Sequence, residues 1–192
     1  GDAFCGMLNL SYNLGLRRLH PHIPAYPAGT APEVAAMIAD FVPVARIFIG
    51  LKHLKIFTFG PRPHDFLACN APIKPLYDLG VAVMENSELD LLQCYQQAAG
   101  DPAIAAIARD IAREVGNPYP GLNEKLAQYE LALQRFVEDN LGACTYGVMA
   151  NKCWPTFEHY FGFVPCYINS RFATRGMPIA CEVDIYGALS EY

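Results

Sequence analysis

The chain has 192 residues, 53% of them hydrophobic and only 17% charged, well under the roughly 25% charged of an ordinary soluble domain. Its 14 Lys and Arg against 19 Asp and Glu leave a formal charge of -5 with no run of one sign, which argues against a nucleic-acid or anionic-membrane surface. A chain of this length hides about 70% of its unfolded surface and needs no disulfide to fold. Residues 3–18 carry Phe4, Met7, Leu8, Leu14 and Leu16 and end in Arg17-Arg18, cations at the negative end of a helix dipole. Ile23 to Tyr26, between prolines, reads as an edge strand or a connector. Thr30-Ala31-Pro32-Glu33 has capping-box spacing, and Val34, Ile38, Phe41, Val42, Ala45 and Ile49 then recur at three and four. This predicts a helix of about five turns, disturbed at Pro43. The apolar tract Ile38 to Leu51 is interrupted by Asp40, Pro43 and Arg46, short of the about 20 clean residues of a membrane span.

From there short β-rich runs alternate with helices. Lys55 to Phe59 is a strand closed by Gly60, and Val81 to Met84 a second, followed by Glu85-Asn86 and a helix opened by Ser87-Glu88-Leu89-Asp90. Asp101-Pro102 starts a helix whose face is Ile104, Ile107, Ala108, Ile111 and Val115. Asn117 to Gly121 is a break. Leu122, Leu126, Tyr129, Leu133, Phe136 and Val137 mark another amphipathic helix. Tyr146 to Ala150 reads as a strand, Trp154 to Tyr160 as a helix ending near Gly162, Tyr167 to Ala173 as a short helix, and Ile179 to Val183 as a strand. Continuous apolar strands imply cover on both faces, so a parallel sheet between two helix layers is the simplest architecture.

Seven cysteines without a Cys-x-x-Cys pair fit a reducing, cytoplasmic compartment and read as small buried hydrophobes. A zinc site from Cys144, Cys153, Cys166 and Cys181 lacks the close ligand pairs of structural zinc. No Gly-rich phosphate loop or nucleophile elbow is present, which weakens a flavodoxin-like nucleotide binder. In open α/β sheets, chemistry collects beyond the carboxyl ends of the strands. Four stretches fall there: Gly60 to Phe66, Glu85-Asn86, Asn151 to Pro155, and Cys181 to Asp184. At the last, Asp184 is a helix cap, while Glu182 is either a solvated strand-end carboxylate or an oxygen ligand for a hard cation such as Mg or Mn. Asn151 or Lys152 is a hydrogen-bonding partner for a polar substrate with Trp154 supplying shape, or the three are a helix start packed on the sheet. His64-Asp65 is an oriented imidazole or a turn pair. His20, His22 and His159 have no partner at ligand spacing and are assigned to structure.

Lys152-Cys153-Trp154-Pro155, then Gly162-Phe163-Val164-Pro165-Cys166, then Gly176 to Leu189 (GMPIACEVDIYGAL) resemble, in order and spacing, the L-fucose isomerase family and its fucose/arabinose isomerase-like relatives. The strand-loop KIFTFG and Tyr77 to Val83 resemble the start of that family's second α/β domain. The resemblance implies a three-layer α/β/α fold with a mainly parallel sheet, Rossmann- or flavodoxin-like. Residues 1–50 would end a preceding domain or form a helical extension, residues 51–192 would be the second domain, and a C-terminal β-rich domain would be absent. It implies an aldose–ketose isomerase, dependent on Mn (or Mg), working through a metal-stabilised enediol. Glu182 would be metal ligand and acid/base group, and Asn151, Lys152, Trp154 and His64 substrate contacts. A second carboxylate and a histidine would come from beyond Tyr192, so this segment alone would be inactive. A homo-oligomer with a small sugar substrate, no nucleic acid and no membrane is expected. Where family members often carry Gln before the Cys-Trp block, this chain has Asn151-Lys152. The alternative is a carbohydrate-binding or structural module without catalysis. The aromatics Phe157, Tyr160, Phe161, Phe163, Tyr167 and Phe172 are expected to form an exposed apolar cluster beside the site.

Overall fold

A computed structural model describes residues 3–25, 28–116 and 118–192; Tyr26 and Asn117, each named above in a turn or connector, lie outside the described residues. Contacts divide the chain into two compact units, residues 1–48 and 49–192. In the first, α1 (Ala3–Leu16) ends where Arg17 donates from its guanidinium to the Asn13 carbonyl at 2.9 Å, and residues 21–24 form neither helix nor strand. At the start of α2 (Ala31–Leu51) one half of the expected capping box forms: the Thr30 N–H donates to the Glu33 carboxylate at 2.6 Å, and the Thr30 hydroxyl donates to the same oxygen at 2.8 Å. The helix runs on through Pro43. With 21 residues it is long and apolar enough, by length and composition, to cross a membrane, although Asp40, Pro43 and Arg46 interrupt the apolar run.

The second unit is a four-stranded parallel sheet in the order β2-β1-β3-β4. Its strands are β1 (Leu54–Phe59), β2 (Ala82–Asn86), β3 (Tyr146–Asn151) and β4 (Ile179–Cys181). Phe59 pairs with Asn86 on one side and Asn151 on the other, and Asn151 pairs with Cys181, so four strand ends line one edge. Side chains alternate across the sheet. Leu54, Ile56, Val148, Ala150 and Ala180 face one way, onto Leu76 of α3 (Lys74–Asp78) and onto Ile185 and Ala188 of α8 (Ile185–Glu191). Phe57, Phe59, Met149 and Ile179 face the other way. There they meet α4 (Glu88–Gln97), α5 (Ala103–Val115), α6 (Pro120–Asn140) and α7 (Cys166–Ala173). The three-layer α/β/α expectation holds. Leaving β1 the chain crosses on the α3 side to β2, and leaving β2 it crosses on the other side to β3, so the direction of winding reverses between β1 and β3.

Local signals account for the element ends. Ser87 and Asp90 form a reciprocal capping box on α4, and Asp101 accepts from the Ala103 N–H at 2.8 Å at the start of α5. Gly147 in β3 admits the close approach of α6: a Cβ there would stand 3.0 Å from Val137 and 3.2 Å from Phe57. Gly147→Ala is therefore expected to destabilise the unit by about 1–3 kcal/mol through overpacking, read as a lower urea midpoint at unchanged slope.

Four expectations are corrected. The helix expected from Trp154 begins later, as a π-helical turn at Phe157–Phe161, and the Trp154–Pro155 peptide is cis. A proline disfavours the helical conformation in the residue before it, which keeps Trp154 out of the helix. The last strand stops at Cys181, because Glu182 and Val183 take left-handed backbone angles, φ 56° and 53°, that no strand accommodates. Pro120 and Gly121 open α6 rather than belonging to the break before it. The aromatic cluster is interior: Phe157, Phe161, Phe163 and Phe172 are buried, the first three meeting Tyr129 edge-on and Phe157 stacking on Phe161, with Tyr160 exposed. The exposed apolar excess lies instead on α1 and α2, neither of which has a buried residue except Leu51.

Candidate active site

Winding reverses between β1 and β3, and the region beyond the carboxyl ends of two such strands is the usual place for a ligand in open α/β sheets. Gly60, with φ 100°, turns the chain out of β1. A side chain there would collide with Glu88 and Lys152, at 3.0 and 3.3 Å from the added Cβ. Glu88, in the first turn of α4, accepts from the Thr156 hydroxyl at 2.8 Å, and Lys152 Nζ stands 3.8 Å from the same oxygen. Glu88 and Thr156 carried no signal in the sequence, since each reads as an ordinary helix-start residue.

One strand further, Glu182 follows β4 directly. Its Oε1 accepts from the Cys153 thiol at 3.6 Å, and its Oε2 is buried without a partner among the described residues. An orphaned buried carboxylate oxygen is costly unless something occupies it. The turn that carries Glu182 is held from below: Val183 and Ile185 are buried in the second core cluster. Asp184 accepts from the Gly187 N–H at 2.8 Å, the helix cap expected of it. Two successive non-glycine residues in the left-handed region mark a backbone that its surroundings over-determine.

Cys166 and Cys181 lie close enough to Cys153 for charge on one to act on another. Burial first, then Cys181 and Glu182, push the Cys153 thiol up to about 12, so it stays a neutral donor at physiological pH. Among the described residues no disulfide joins the cysteines, and none is fully buried, against expectation: Cys5, Cys166 and Cys181 are exposed and the others intermediate. Among the described residues no group of three or more His, Cys, Asp or Glu is set to hold a metal ion. Glu182 Oε2 suits a hard cation as one donor; the thiols beside it do not, and the remainder of a coordination sphere is not among the described residues.

The other expected contacts separate. Asn151 is 0% exposed and donates to the Tyr129 hydroxyl at 2.8 Å, with its own Oδ1 unpartnered. Tyr129 had been legible only as core, and burial raises its phenol well above the ordinary value. Trp154 is 62% exposed at the mouth of the edge. His64 is fully exposed and stands 3.1 Å from Asp65, its one side-chain partner among the described residues. His22 stacks on Phe41 at 4.9 Å, the structural role expected of it.

Comparison with known proteins bears on this edge. A family model described as the N-terminal domain of fucose/sulfoquinovose isomerase matches residues 1–52. The sulfoquinovose isomerase of Alkalicoccus urumqiensis is 36% identical over 147 residues, 74% of this chain and 32% of that protein. The chain belongs to the fucose isomerase-like family. Further members similar to it are the sulfoquinovose isomerases of Priestia aryabhattai, 27% identical over 182 residues, and of Clostridium sp. (strain MSTE9), 26% identical over 172. They cover 91% and 88% of this fucose isomerase-like chain, which spans 39% and 38% of their lengths. The family match over residues 1–52 takes in α1 and α2 whole.

Proposed function

We propose that the whole protein interconverts an aldose and its ketose, and that Glu182 is the carboxylate through which this segment takes part. The observation that carries the reading is the buried, unpartnered Oε2 of Glu182 at the carboxyl edge of a parallel sheet. Its support is membership in a family of sugar isomerases. A carboxylate there takes the proton from one substrate carbon and returns it to the neighbour, passing through an enediol. Lys152, held near Glu88, and Trp154, exposed at the mouth, bind and shape the sugar; Asn151 fixes the end of β3 through Tyr129. A divalent ion of the Mn or Mg class, with Glu182 as one of its ligands, would supply polarisation of the substrate carbonyl. The similar proteins' names make sulfoquinovose the first substrate to try. A homo-oligomer in the cytoplasm completes the reading, supported by the exposed apolar faces of α1 and α2 and by seven cysteines without a Cys-x-x-Cys pair.

The test is a ketose-formation assay of the full-length protein with sulfoquinovose, L-fucose and D-arabinose, after chelation and after return of Mn or Mg. Turnover of sulfoquinovose above the others, lost on chelation and regained with Mn, is expected. The 192-residue chain by itself is expected to bind Mn weakly and turn over none of them. Full-length protein that binds a sugar yet isomerises none of the three with either ion would replace this reading by the non-catalytic module.

A further inference from the structure

The reading of Glu182 as the working carboxylate leaves open what aims it. A Glu side chain has three rotatable bonds, and the two oxygens of a carboxylate are equivalent until one is engaged. The backbone at Glu182 is pinned, by the buried Val183 and by the Asp184 cap, but the carboxylate has one hydrogen-bond contact among the described residues: the Cys153 thiol on Oε1 at 3.6 Å. Cys153 is itself fixed on both sides. The Lys152 N–H before it donates to the Phe59 carbonyl at 3.1 Å, extending the β1–β3 ladder, and its own carbonyl accepts from the Phe157 N–H at 2.9 Å. Its side chain packs against the aromatic core. The donor is thus carried by the rigid end of β3, and the acceptor by the turn after β4.

Resting on the proposed function, we infer that Cys153 is a positioning residue for Glu182: its thiol occupies Oε1 and so leaves Oε2 as the oxygen presented to the substrate or its ion. The residue type fits the task. A thiol is a weak donor, enough to select one rotamer of a carboxylate, whereas a guanidinium would bind both oxygens and tie the group up. The exposed Trp154 that follows places this positioning contact directly behind the mouth of the site.

The full-length protein is compared with Cys153→Ala, Cys153→Ser and Glu182→Gln. Misaiming a reacting group by an ångström or less is felt mainly in the chemical step. Cys153→Ala is therefore expected to lower kcat about tenfold, equivalent to about 1.4 kcal/mol in the barrier, with KM changed by less than about twofold. Cys153→Ser, which keeps a donor on the same Cβ, restores most of that kcat. A second readout needs no turnover and no metal. In the infrared spectrum of chelator-treated protein, the S–H stretch that disappears in Cys153→Ala is expected at lower frequency than a free thiol, and to move up in Glu182→Gln. Wild-type kcat in Cys153→Ala, a Ser variant no better than Ala, or an S–H band indifferent to Glu182→Gln overturns the inference. If Glu182→Gln is inactive while Cys153→Ala is normal, the inference alone fails. If Glu182→Gln turns over normally, the role given to Glu182 fails and the inference falls with it.

Discussion

On the proposed reading, Glu182→Gln is expected to lower kcat of the full-length protein by about 10²–10⁴-fold, the range a positioned proton-transfer group contributes, while leaving the fold intact. Gln preserves the shape and one carbonyl oxygen but cannot carry a proton between carbons. The Cys153 thiol still finds an acceptor in the amide oxygen, so the side chain stays aimed. The stability effect should be small or favourable, because the substitution replaces a half-buried carboxylate, whose buried Oε2 has no partner among the described residues, with a neutral group. A Glu182→Gln protein with an unchanged urea midpoint and lost turnover is the expected pair of results, measured by denaturation and by ketose formation. Turnover within about threefold of wild type would show that the proton moves through another group.

The largest stability effect is expected from Glu130→Ala, about 3–5 kcal/mol. Glu130, on α6, and Arg171, on α7, are 2% and 5% exposed. Arg171 donates to Glu130 from Nε at 2.7 Å and from Nη2 at 3.3 Å, and Arg175 adds a bond at 2.7 Å. Burial works against the charge of Arg171, but the hydrogen bonds to Glu130 and Glu114 more than offset it and raise its pKa. Without Glu130 the guanidinium would remain buried with Glu114 alone, a carboxylate about half exposed. Glu114, held below its usual pKa by the bonds it accepts from Arg171 and Tyr167, sits on the wet side of the network. Glu114→Ala should therefore cost about 1 kcal/mol or less. Equal losses from the two variants in urea titrations of the protein would mean that burial of Glu130 adds nothing to the pair. Replacing Glu130 and Arg171 together by Leu and Met is expected to be close to neutral, since an apolar pair asks for no desolvation of charge.

The strands and most helices were legible because their signals are local: unbroken apolar runs for a sheet covered on both faces, side-chain caps at Ser87 and Asp184, and Glu33 reaching back to the Thr30 N–H. What was not legible depends on partners far along the chain. Glu130 interrupts the apolar face of α6 and makes sense only beside Arg171, 41 positions away. Tyr129 reads as core until Asn151 is seen to need it. The length of β4 turned on two left-handed residues, neither of them glycine, so composition gave no warning. The aromatics around Phe161 were placed outside by their closeness in sequence to the site, but the helix layer of α4 to α7 has its own interior, and they fill it. Of the site residues, Glu182 and Lys152 stand at the carboxyl edge as expected, whereas His64 is a surface turn.

The strand order also sets a timetable for the growing chain. β3 lies between β1 and β4, yet α3 through α6 separate it from β1 in the sequence, so β1 and β2 leave the ribosome with one of their edges vacant. Until Tyr146 to Asn151 arrives, the run Leu54 to Phe59 exposes unpaired amides flanked by apolar side chains, the situation that favours intermolecular pairing. Late, long-range closure of a parallel pair is slow. Recovery of this protein from denaturant should therefore be limited by insertion of β3, and yield should fall as protein concentration rises.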